Sequence, residues 1–539
     1  MRMTRLFIAV ILIIGMTGFL FGLESINAEM NVKIRDEAMF RSQIMLTMHY
    51  LTDVYGPRLT GSPNYKAAAE WTLEQMKKWG LENAHLERWD FGHPGWTNER
   101  LSAHILAPYK DQLVCKAVAW TPSTAGTVAG SALVLELPEK PSAAELDQYF
   151  NGVRDKVKGR VVFIGKPQAI PITLNPPARR RDDQQVRALY DPKNPNAGLF
   201  FGRPEQRDQR PDPSRLTAAQ IGEKLDQFLV AAGALVKVTE GGKERGEIRV
   251  FGNRTYDPEK STPAVAMRNE DYGRITRLLA DGASCELEFN IVNKVHPEGR
   301  TTFNAVAELP GSDKVDEVVM LGAHLDSWHG ATGATDNAIG CAIMMEAARI
   351  LKVLGVRPRR TVRVALWSAE EQGLLGSQAY VKEHFGSFES PKPEFAKLVG
   401  YFNIDSGTGR IRGGSIFGPP AAAAVLREIL APFEDLGVAG VLAAKSRRLG
   451  GTDSTSFNQA GLPGIGMSQD PIEYFTDTWH TNVDSYERVL EDDAKAASTS
   501  IASAVYHLAM REENLPRFTK EEMPPAPRPE GQQAGPPRP

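Results

Sequence analysis

Residues 361–373 read TVRVALWSAEEQG, and this stretch decides the fold class. Its first half, Thr361–Trp367, is a mostly apolar run interrupted only by Arg363, which is typical of a strand buried on both faces of a sheet. The second half turns polar at once and carries two adjacent carboxylates, Glu370 and Glu371. Because residues that do chemistry gather where parallel strands end, this stretch predicts a functional site at a sheet edge.

The same alternation of apolar strands and helical patterns continues on both sides of this stretch. Strands are predicted at Phe303–Leu309, Glu317–Leu321 and Leu398–Ile404, and helices at Asn337–Leu354, Leu374–His384 and near Pro420–Leu430. Strands that alternate with helices pair in parallel. We therefore predict an α/β fold, a mostly parallel mixed sheet covered by helices on both faces.

Residues 105–295 differ from this pattern, because short β-rich runs alternate there with turns and few helices. Five regions follow: a signal peptide or N-terminal anchor (1–28), an N-terminal helical part of the main domain (29–104), a β-rich insert (105–295), the main α/β domain (296–513) and a disordered proline-rich tail (514–539). Inside the insert, residues 171–215 predict a long surface loop. Its Arg179-Arg180-Arg181 triplet is interpreted as an exposed turn, with a local anion patch as the alternative.

The first residues predict export. Two arginines precede the uncharged run Leu6–Leu23, and the small residue Ala28 follows as a cleavage position. The run is also just long enough to span a bilayer, so a retained anchor is the alternative. Both interpretations place the folded chain in the periplasm, outside the cell, or facing outward from a membrane.

The overall composition excludes several classes of protein. Among 539 residues there are 63 Lys and Arg against 66 Asp and Glu, and this balance argues against nucleic acid as a partner. Three cysteines are too few for a disulfide scaffold or a cysteine-rich zinc module. Cys115 and Cys285 both lie in the insert, and their pairing in an oxidising compartment stays open.

Imidazole and carboxylate side chains stand at or near the ends of the predicted strands. The candidate metal ligands are His324, Asp336, Glu371, Asp405 and His480. Clustered carboxylates repel one another unless a cation lies between them, and this ligand set suits zinc. Two histidines and three carboxylates exceed the needs of one tetrahedral zinc with an open position. They fit two metal ions that share a bridging carboxylate.

The adjacent pair Glu370 and Glu371 predicts two different roles. Neighbouring residues that leave a strand point in different directions, so one glutamate can bind metal while the other acts as general base toward a water molecule. Asp326, two residues after His324, can accept the free imidazole N–H and fix the tautomer. Its alternative interpretation is a turn former or helix cap.

Several stretches resemble the M28 family of co-catalytic zinc exopeptidases. They are His324-Leu325-Asp326-Ser327, Gly333–Asn337, Ser368–Ser377, Asn403–Thr408 and Gly451-Thr452-Asp453. Tyr55–Pro63 resembles the N-terminal signature of the carboxypeptidase Q branch, and the insert is similar to the protease-associated domain of that branch. The resemblance covers roughly residues 35–512.

The resemblance implies a zinc-exopeptidase fold of the phosphorylase/hydrolase-like type with two Zn²⁺ per chain. It makes Asp336 the bridging ligand, and it makes Glu370 the general base. His324 and Asp405 then complete one zinc site, and Glu371 and His480 complete the other. It also implies a cis peptide bond between Asp336 and Asn337.

The predicted function is that of an exported exopeptidase that hydrolyses dipeptides or short peptides with unblocked termini. An aminopeptidase is one alternative, and a non-catalytic receptor-like binding protein on the same fold is another. A hydrolase of other amides, or a cyclase acting on N-terminal glutamine, is a further alternative. The only membrane contact expected is an uncleaved anchor, and a homodimer stays open.

The substrate pocket is less well defined by the sequence. Tyr474 and Phe475 precede His480 and either line a side-chain pocket or pack within their loop, and Thr452 and Asp453 are further candidates for substrate contact. No arginine or lysine occurs between Thr452 and His480, which weakens the case for acidic substrates.

Overall fold

Two eight-stranded sheets organise residues 25–194 and 212–527, the parts of the chain that the computed structural model describes. The first sheet contains, in spatial order, β1 (Glu82–Asp90), β10 (Thr301–Leu309), β12 (Arg360–Trp367), β11 (Lys314–His324), β15 (Leu398–Ile404), β18 (Gly464–Gln469), β16 (Ile411–Phe417) and β17 (Val441–Ala444). The neighbours β12, β11, β15 and β18 run parallel, whereas β1, β10 and β16 join the sheet by antiparallel pairs. This confirms the predicted mixed α/β sheet.

Helices cover both faces of this sheet, because alternate side chains of its buried strands point in opposite directions. Val319 and Leu321 of β11 pack into one apolar core, and Val318 and Met320 pack into another. The first core also contains α1 (Ala28–Phe40), α2 (Ile44–His49), α3 (Pro63–Lys78), α8 (Ile339–Val353), α10 (Pro420–Leu430) and α12 (Glu491–Met510). The second core contains α9 (Leu375–His384) and α11 (Ser454–Ala460).

The second sheet forms the predicted β-rich insert. In spatial order its strands are β3 (Asp111–Gln112), β2 (Gly95–Ala107), β9 (Glu286–His296), β5 (Val128–Leu135), β6 (Val161–Ile164), β7 (Val236–Glu240), β8 (Ala264–Met267) and β4 (Cys115–Ala117). Its helices are α4 (Ala143–Val157), α5 (Asp183–Tyr190), α6 (Ala218–Ala232) and α7 (Asn269–Ala280), and the short strands β13 (Gly386–Ser387) and β14 (Ser390–Pro391) form a hairpin elsewhere. All three cysteines carry free thiols.

The boundary between the two sheets differs from the predicted position at residue 105. Strand β1 belongs to the first sheet, and β2, which begins at Gly95, belongs to the second. The segment 29–104 is therefore only partly helical. Strand β1 is rich in exposed polar residues, and β2 is interrupted by the exposed polar run 98–100, so both lack a continuous apolar alternation that sequence patterns detect. The insert leaves and rejoins the first sheet at one point, where the Phe91 amide donates to the Arg300 carbonyl at 2.8 Å.

The predicted tail at 514–539 is wrong in its first residues. Leu515 and Phe518 are buried, and the Phe518 ring packs edge-on against Phe417 with 5.3 Å between centroids. Leu515 belongs to the first apolar core, so these two apolar side chains anchor the start of the segment to the main domain. Residues 528–539 lie outside the described residues.

The predicted signal or anchor lies mostly outside the described residues, which begin at Ser25. Asn27 caps helix α1, because its side chain accepts a hydrogen bond from the Met30 amide at 2.9 Å. Across residues 25–194 and 212–527, none of the helices combines the length and the apolar character needed to cross a membrane.

Arg179 and Arg180 of the arginine triplet are exposed, at 71% and 46%, as the sequence interpretation expects, but the triplet also contacts the main domain. Arg180 forms ion pairs with Asp493 at 2.8 Å and Asp470 at 3.4 Å, both in the first domain. The helix that follows, α5, ends in Tyr190, which is buried against the same domain. The carboxylates that bind the triplet lie about 290 residues further along the chain, so local sequence gives no sign of them. This part of the predicted surface loop therefore docks onto the main domain.

Replacing Tyr190 with alanine tests this docking. The Tyr190 ring lies so close to Gly413 that a Cβ there would sit 2.4 Å from it. We expect Tyr190→Ala to lower the free energy of unfolding by roughly 3–5 kcal/mol, as for other buried aromatic rings. Urea denaturation measures the change. Tyr109→Ala is the control, since Tyr109 is 41% exposed, and it should cost less than about 1 kcal/mol. Equal losses would contradict the docking.

Candidate active site

The predicted ligands meet at the carboxyl edge of the first sheet. His324 ends β11, Glu370 and Glu371 follow β12, and Asp405 follows β15. These three strands are adjacent and parallel, so their carboxyl ends lie side by side. Asp336 precedes α8, and His480 lies in the loop between β18 and α12.

Two groups of potential metal-binding atoms form at this edge. In one group, His324 Nε2 lies 3.2 Å from Asp336 Oδ1 and 3.5 Å from Asp405 Oδ1. In the other, His480 Nε2 lies 3.2 Å from Asp336 Oδ2 and 2.9 Å from Glu371 Oε2. The two oxygens of Asp336 thus face different histidines. The structure brings all five predicted ligands together and places Asp336 between the two groups.

The chemistry of these side chains fits bound cations. His324 Nε2, Asp336 Oδ2 and Glu371 Oε1 are buried and make no hydrogen bond within the described part of the chain. Burial and the charge of Asp336 raise the pKa of Glu371 to about 7. Burial alone would lower the pKa of His480, but the carboxylates of Glu371 and Asp336 overcome it and raise that pKa to about 10. Divalent cations would remove this conflict between buried like charges.

The backbone around Asp336 is fixed by its neighbours. The Asp336–Asn337 peptide bond is cis, as the family resemblance implies. The Asn337 side chain donates to the Ile404 carbonyl at 2.9 Å and accepts from the Gly340 amide at 3.2 Å. A Cβ on Gly340 would lie 2.2 Å from Asn337 Oδ1, so only glycine allows this approach. The start of α8 is thereby tied to the end of β15.

Asp326 holds the site in a different way from the predicted one. Its backbone carbonyl, rather than its carboxylate, lies 2.9 Å from His324 Nδ1, and the carboxylate is 3.7 Å away. The carboxylate instead accepts hydrogen bonds from the Glu370 amide at 3.2 Å, the Glu371 amide at 3.3 Å and the Thr60 hydroxyl at 3.1 Å. Asp326 therefore orients the histidine through its main chain and the glutamate pair through its side chain.

Two residues that sequence reasoning missed support the Asp336 loop. Asp484 accepts hydrogen bonds from the Thr335 amide at 2.6 Å and the Asp336 amide at 3.1 Å. Arg58 is fully buried and donates to the carbonyls of Leu325, Thr332 and Gly333 at 2.7–2.9 Å. No local pattern marks Asp484, because its partners Thr335 and Asp336 lie 149 and 148 residues before it. Arg58 lies within Tyr55–Pro63, which resembles the family signature, but that resemblance does not predict its hydrogen bonds to the Asp336 loop.

The predicted substrate residues divide into buried and exposed groups. Tyr474 is buried, and its hydroxyl donates to Asp405 Oδ1 at 3.1 Å, so it supports a candidate ligand. Asp453 is fully buried beneath the site, and burial raises its pKa to about 7. The Thr452 hydroxyl accepts from Asn403 at 3.3 Å. Of the four, Phe475 is the side chain with large exposure, at 42%, and its ring contacts those of Tyr474 and Trp479.

An aromatic rim surrounds His480, and the second domain contributes to it. The Trp479 ring stacks on the His480 ring with 4.0 Å between centroids, and Phe251 meets the same ring edge-on at 5.3 Å. Trp328 lies 6.4 Å away and also lines a cleft that reaches Asp336. The Val250 amide donates to the His480 carbonyl at 3.3 Å. The insert therefore shapes the entrance to the site.

The remaining histidines do not join either group. His329, the nearest in sequence, is half-buried, and its Nε2 bonds to the Ala117 carbonyl at 2.6 Å. Burial lowers its pKa to about 4, which keeps it neutral. Among the described residues, both candidate groups thus use only His324 and His480 as imidazole ligands.

Comparisons with known proteins agree with this geometry. Residues 304–505 match the family model described as peptidase family M28. Carboxypeptidase Q of Mus musculus is 27% identical over 467 residues, which cover 87% of this chain and 86% of that protein.

Two solved structures share the fold. The peptidase M28 precursor of Shewanella amazonensis has a TM-score of 0.62 at 23% identity, over 92% of this chain and 98% of that one. A zinc aminopeptidase of Bacillus subtilis has a TM-score of 0.54 at 19% identity, over 89% and 97%. Together with the ligand geometry, the family match over residues 304–505 and the similarity to carboxypeptidase Q support an M28 metallo-exopeptidase of the carboxypeptidase Q branch.

Proposed function

We propose that the chain is an exported di-zinc exopeptidase that hydrolyses dipeptides or short peptides. The observation that carries this proposal is the position of Asp336, whose two carboxylate oxygens face two different histidines at 3.2 Å. A carboxylate in that position suits a bridge between two metal ions. Carboxypeptidase Q and the Bacillus zinc aminopeptidase lend support by similarity.

In this proposal His324, Asp336 and Asp405 hold one zinc, and Asp336, Glu371 and His480 hold the other. Zinc bound there supplies Lewis acidity, which polarises a carbonyl group and makes a water molecule more acidic. The outer nitrogen of His324, Nδ1, stays with the Asp326 carbonyl, and the Tyr474 hydroxyl holds the Asp405 carboxylate. Those partners fix the direction of the ligands before substrate arrives.

Glu370 is proposed as the general base. Its Oε2 lies 4.0 Å from His324 Nε2, farther than the carboxylates of Asp336 and Asp405. Burial holds its pKa well above the usual range, so the carboxylate can take a proton from water and later give it to the leaving amine. The Asp326 carboxylate, which accepts from the Glu370 amide, orients this base.

The alternatives differ in substrate or in chemistry. An aminopeptidase acting on longer peptides would use the same metal site. A receptor-like binding protein would need none of it, and the presence of the five candidate ligands and Glu370 in two close groups argues against that class. Hydrolysis of another amide, or cyclisation of N-terminal glutamine, can be distinguished from peptide hydrolysis only by testing which substrates the enzyme accepts. Export is part of the proposal as an expectation from the sequence, with a retained N-terminal anchor as the alternative to a cleaved signal. Whether the chain forms a homodimer stays open.

Glu370→Gln tests the base. Since glutamine cannot take a proton, we expect kcat to fall by at least roughly 10²-fold, in line with the size of general-base effects. Metal content, measured by mass spectrometry, should stay near two ions per chain. Glu383→Gln is the control, because that side chain is 76% exposed far from the ligands. A variant that keeps wild-type kcat would contradict the assignment.

Chelation with a substrate panel tests the reaction class. The panel contains a free dipeptide, an N-blocked dipeptide and an aminoacyl-nitroanilide, each assayed before and after dialysis against a chelator. We expect hydrolysis of the free dipeptide, its loss on chelation and its recovery with Zn²⁺, because the buried carboxylates need cations. Activity that survives full metal removal would exclude a metallopeptidase.

Asp484→Asn tests the support of the bridging residue. The amide would turn an N–H toward the Asp336 amide, so one of its two acceptor contacts is lost. We expect zinc affinity to fall roughly 10–100-fold, as for other outer-shell partners of ligands, measured by competition with a chromogenic chelator. The control is Asp492→Asn, an exposed carboxylate nearby in sequence. Unchanged affinity in Asp484→Asn would show that Asp336 needs no such support.

A further inference from the structure

We propose that Trp328 determines substrate specificity, because its indole ring forms an apolar wall beside the candidate metal ligands. The substrate side chain that packs against this wall belongs to a residue next to the scissile bond. It is large and apolar, such as that of leucine or phenylalanine. This role rests on the proposed peptidase function and adds a substrate class to it. Trp328 lies four residues after His324 and is not among the site residues that the sequence predicts.

Trp328 lines the cleft through which the candidate ligands are reached. The same cleft is lined by Asp336, Glu371 and His480, which form one of the two groups of candidate ligands. The centroid of the Trp328 ring lies 6.4 Å from that of the His480 ring. Rings separated by about 4.5–7 Å are in direct contact. A substrate held at this group of ligands therefore lies beside the indole ring.

The cleft lining that follows the tryptophan in the chain consists of small residues, namely Gly330, Ala331 and Gly333. At Gly333 the φ of +65° favours glycine, and a Cβ there would lie 2.3 Å from the Cβ of Ser327. This position therefore cannot carry a side chain. No large side chain of this loop competes with a substrate for the space beside the indole ring.

The indole ring is held in place by the second domain. Phe251 meets it edge-on at 5.4 Å between centroids, and Trp120 does so at 6.3 Å. Trp120 is fully buried, whereas Phe251 is 42% exposed and also contacts the His480 ring at 5.3 Å. Trp328 and Phe251 thus form one aromatic wall, built from both domains. Its orientation is fixed before a substrate arrives.

The surroundings of the aromatic wall favour an apolar substrate side chain over an acidic one. Neither ring of the wall carries a charge, and the arginines of the adjoining segment are engaged elsewhere. Arg245 pairs with Asp477 at 2.5 Å, and the Arg249 guanidinium lies over the Trp479 ring. An acidic side chain would therefore lose its hydration here without gaining a counter-ion. An apolar side chain would gain from burial against the two rings.

Two series of dipeptides test the aromatic wall. They are X-Ala and Ala-X, where X is glycine, leucine, phenylalanine or glutamate, and kcat/KM is measured for each dipeptide. We expect the wild-type enzyme to favour leucine and phenylalanine over glycine in one of the two series. The preference should be roughly 10–100-fold, the value of burying one large apolar side chain. Glutamate should be cleaved no better than glycine.

Trp328→Ala should lower the ratio of phenylalanine to glycine in that series roughly 10-fold, because it removes the larger ring of the wall. Trp328→Phe, which keeps an aromatic ring, should retain most of the ratio. Phe251→Ala should lower it roughly 2–10-fold, the value of an aromatic contact, and it tests the wall independently if Trp328→Ala does not fold. Tyr109→Ala is the matched control, because Tyr109 also belongs to the insert and is 41% exposed. It should leave the ratio unchanged.

Equal losses for every X in both wall variants, with or without loss of zinc, would assign the two rings to support of His480 and overturn the specificity role. A wild-type enzyme that cleaves dipeptides without an apolar preference, or that prefers glutamate, would also overturn it and leave the peptidase function intact. A wild-type enzyme inactive on every dipeptide of both series would instead refute the proposed function, in which dipeptides are substrates.

Discussion

The carboxylate of Asp336, with one oxygen toward each of two histidines, is the contact on which the rest of the structure depends. A buried carboxylate among three others is costly unless its surroundings are fixed or cations lie beside it. The fold supplies fixed surroundings from three directions. Asp484 holds the main chain, Asn337 ties it to β15, and Arg58 holds the preceding loop from below. The ligand directions are set by the protein itself, which is the condition for a preorganised site.

The second domain also contributes to this arrangement, because it contacts the first domain close to the ligands. Residues 248–251 bind the His480 loop on one side, and the segment from Arg179 to Tyr190 binds the main domain on another. Two separate attachments leave little freedom for rotation between the sheets. The domain that shapes the entrance is consequently held at a defined distance from the ligands.

Much of the fold and the inner site could be predicted from the sequence, for physical reasons. Buried parallel strands such as β12 are apolar throughout, and polar residues at their ends stand out against that background. The five ligands were found in this way. Strand β1 was missed because an exposed edge strand has no apolar signature. Arg58 and Asp484 act through contacts to residues distant in sequence or to main-chain atoms, and no local pattern encodes such contacts. The contacts of the arginine triplet with the main domain could not be predicted for the same reason, since its carboxylate partners lie far along the chain.

The single point at which the second domain leaves and rejoins the first sheet bears on how the chain folds during synthesis. Strands β1 and β10 pair in the final sheet, although the whole insert separates them. Closing a flexible loop of that length has an entropic cost that must be met before the pairing stabilises anything. If the insert folds first, as domains emerging from the ribosome tend to do, it brings Phe91 and Arg300 to hydrogen-bonding distance. The long loop then becomes a short one, and the interrupted sheet can assemble like a continuous hairpin.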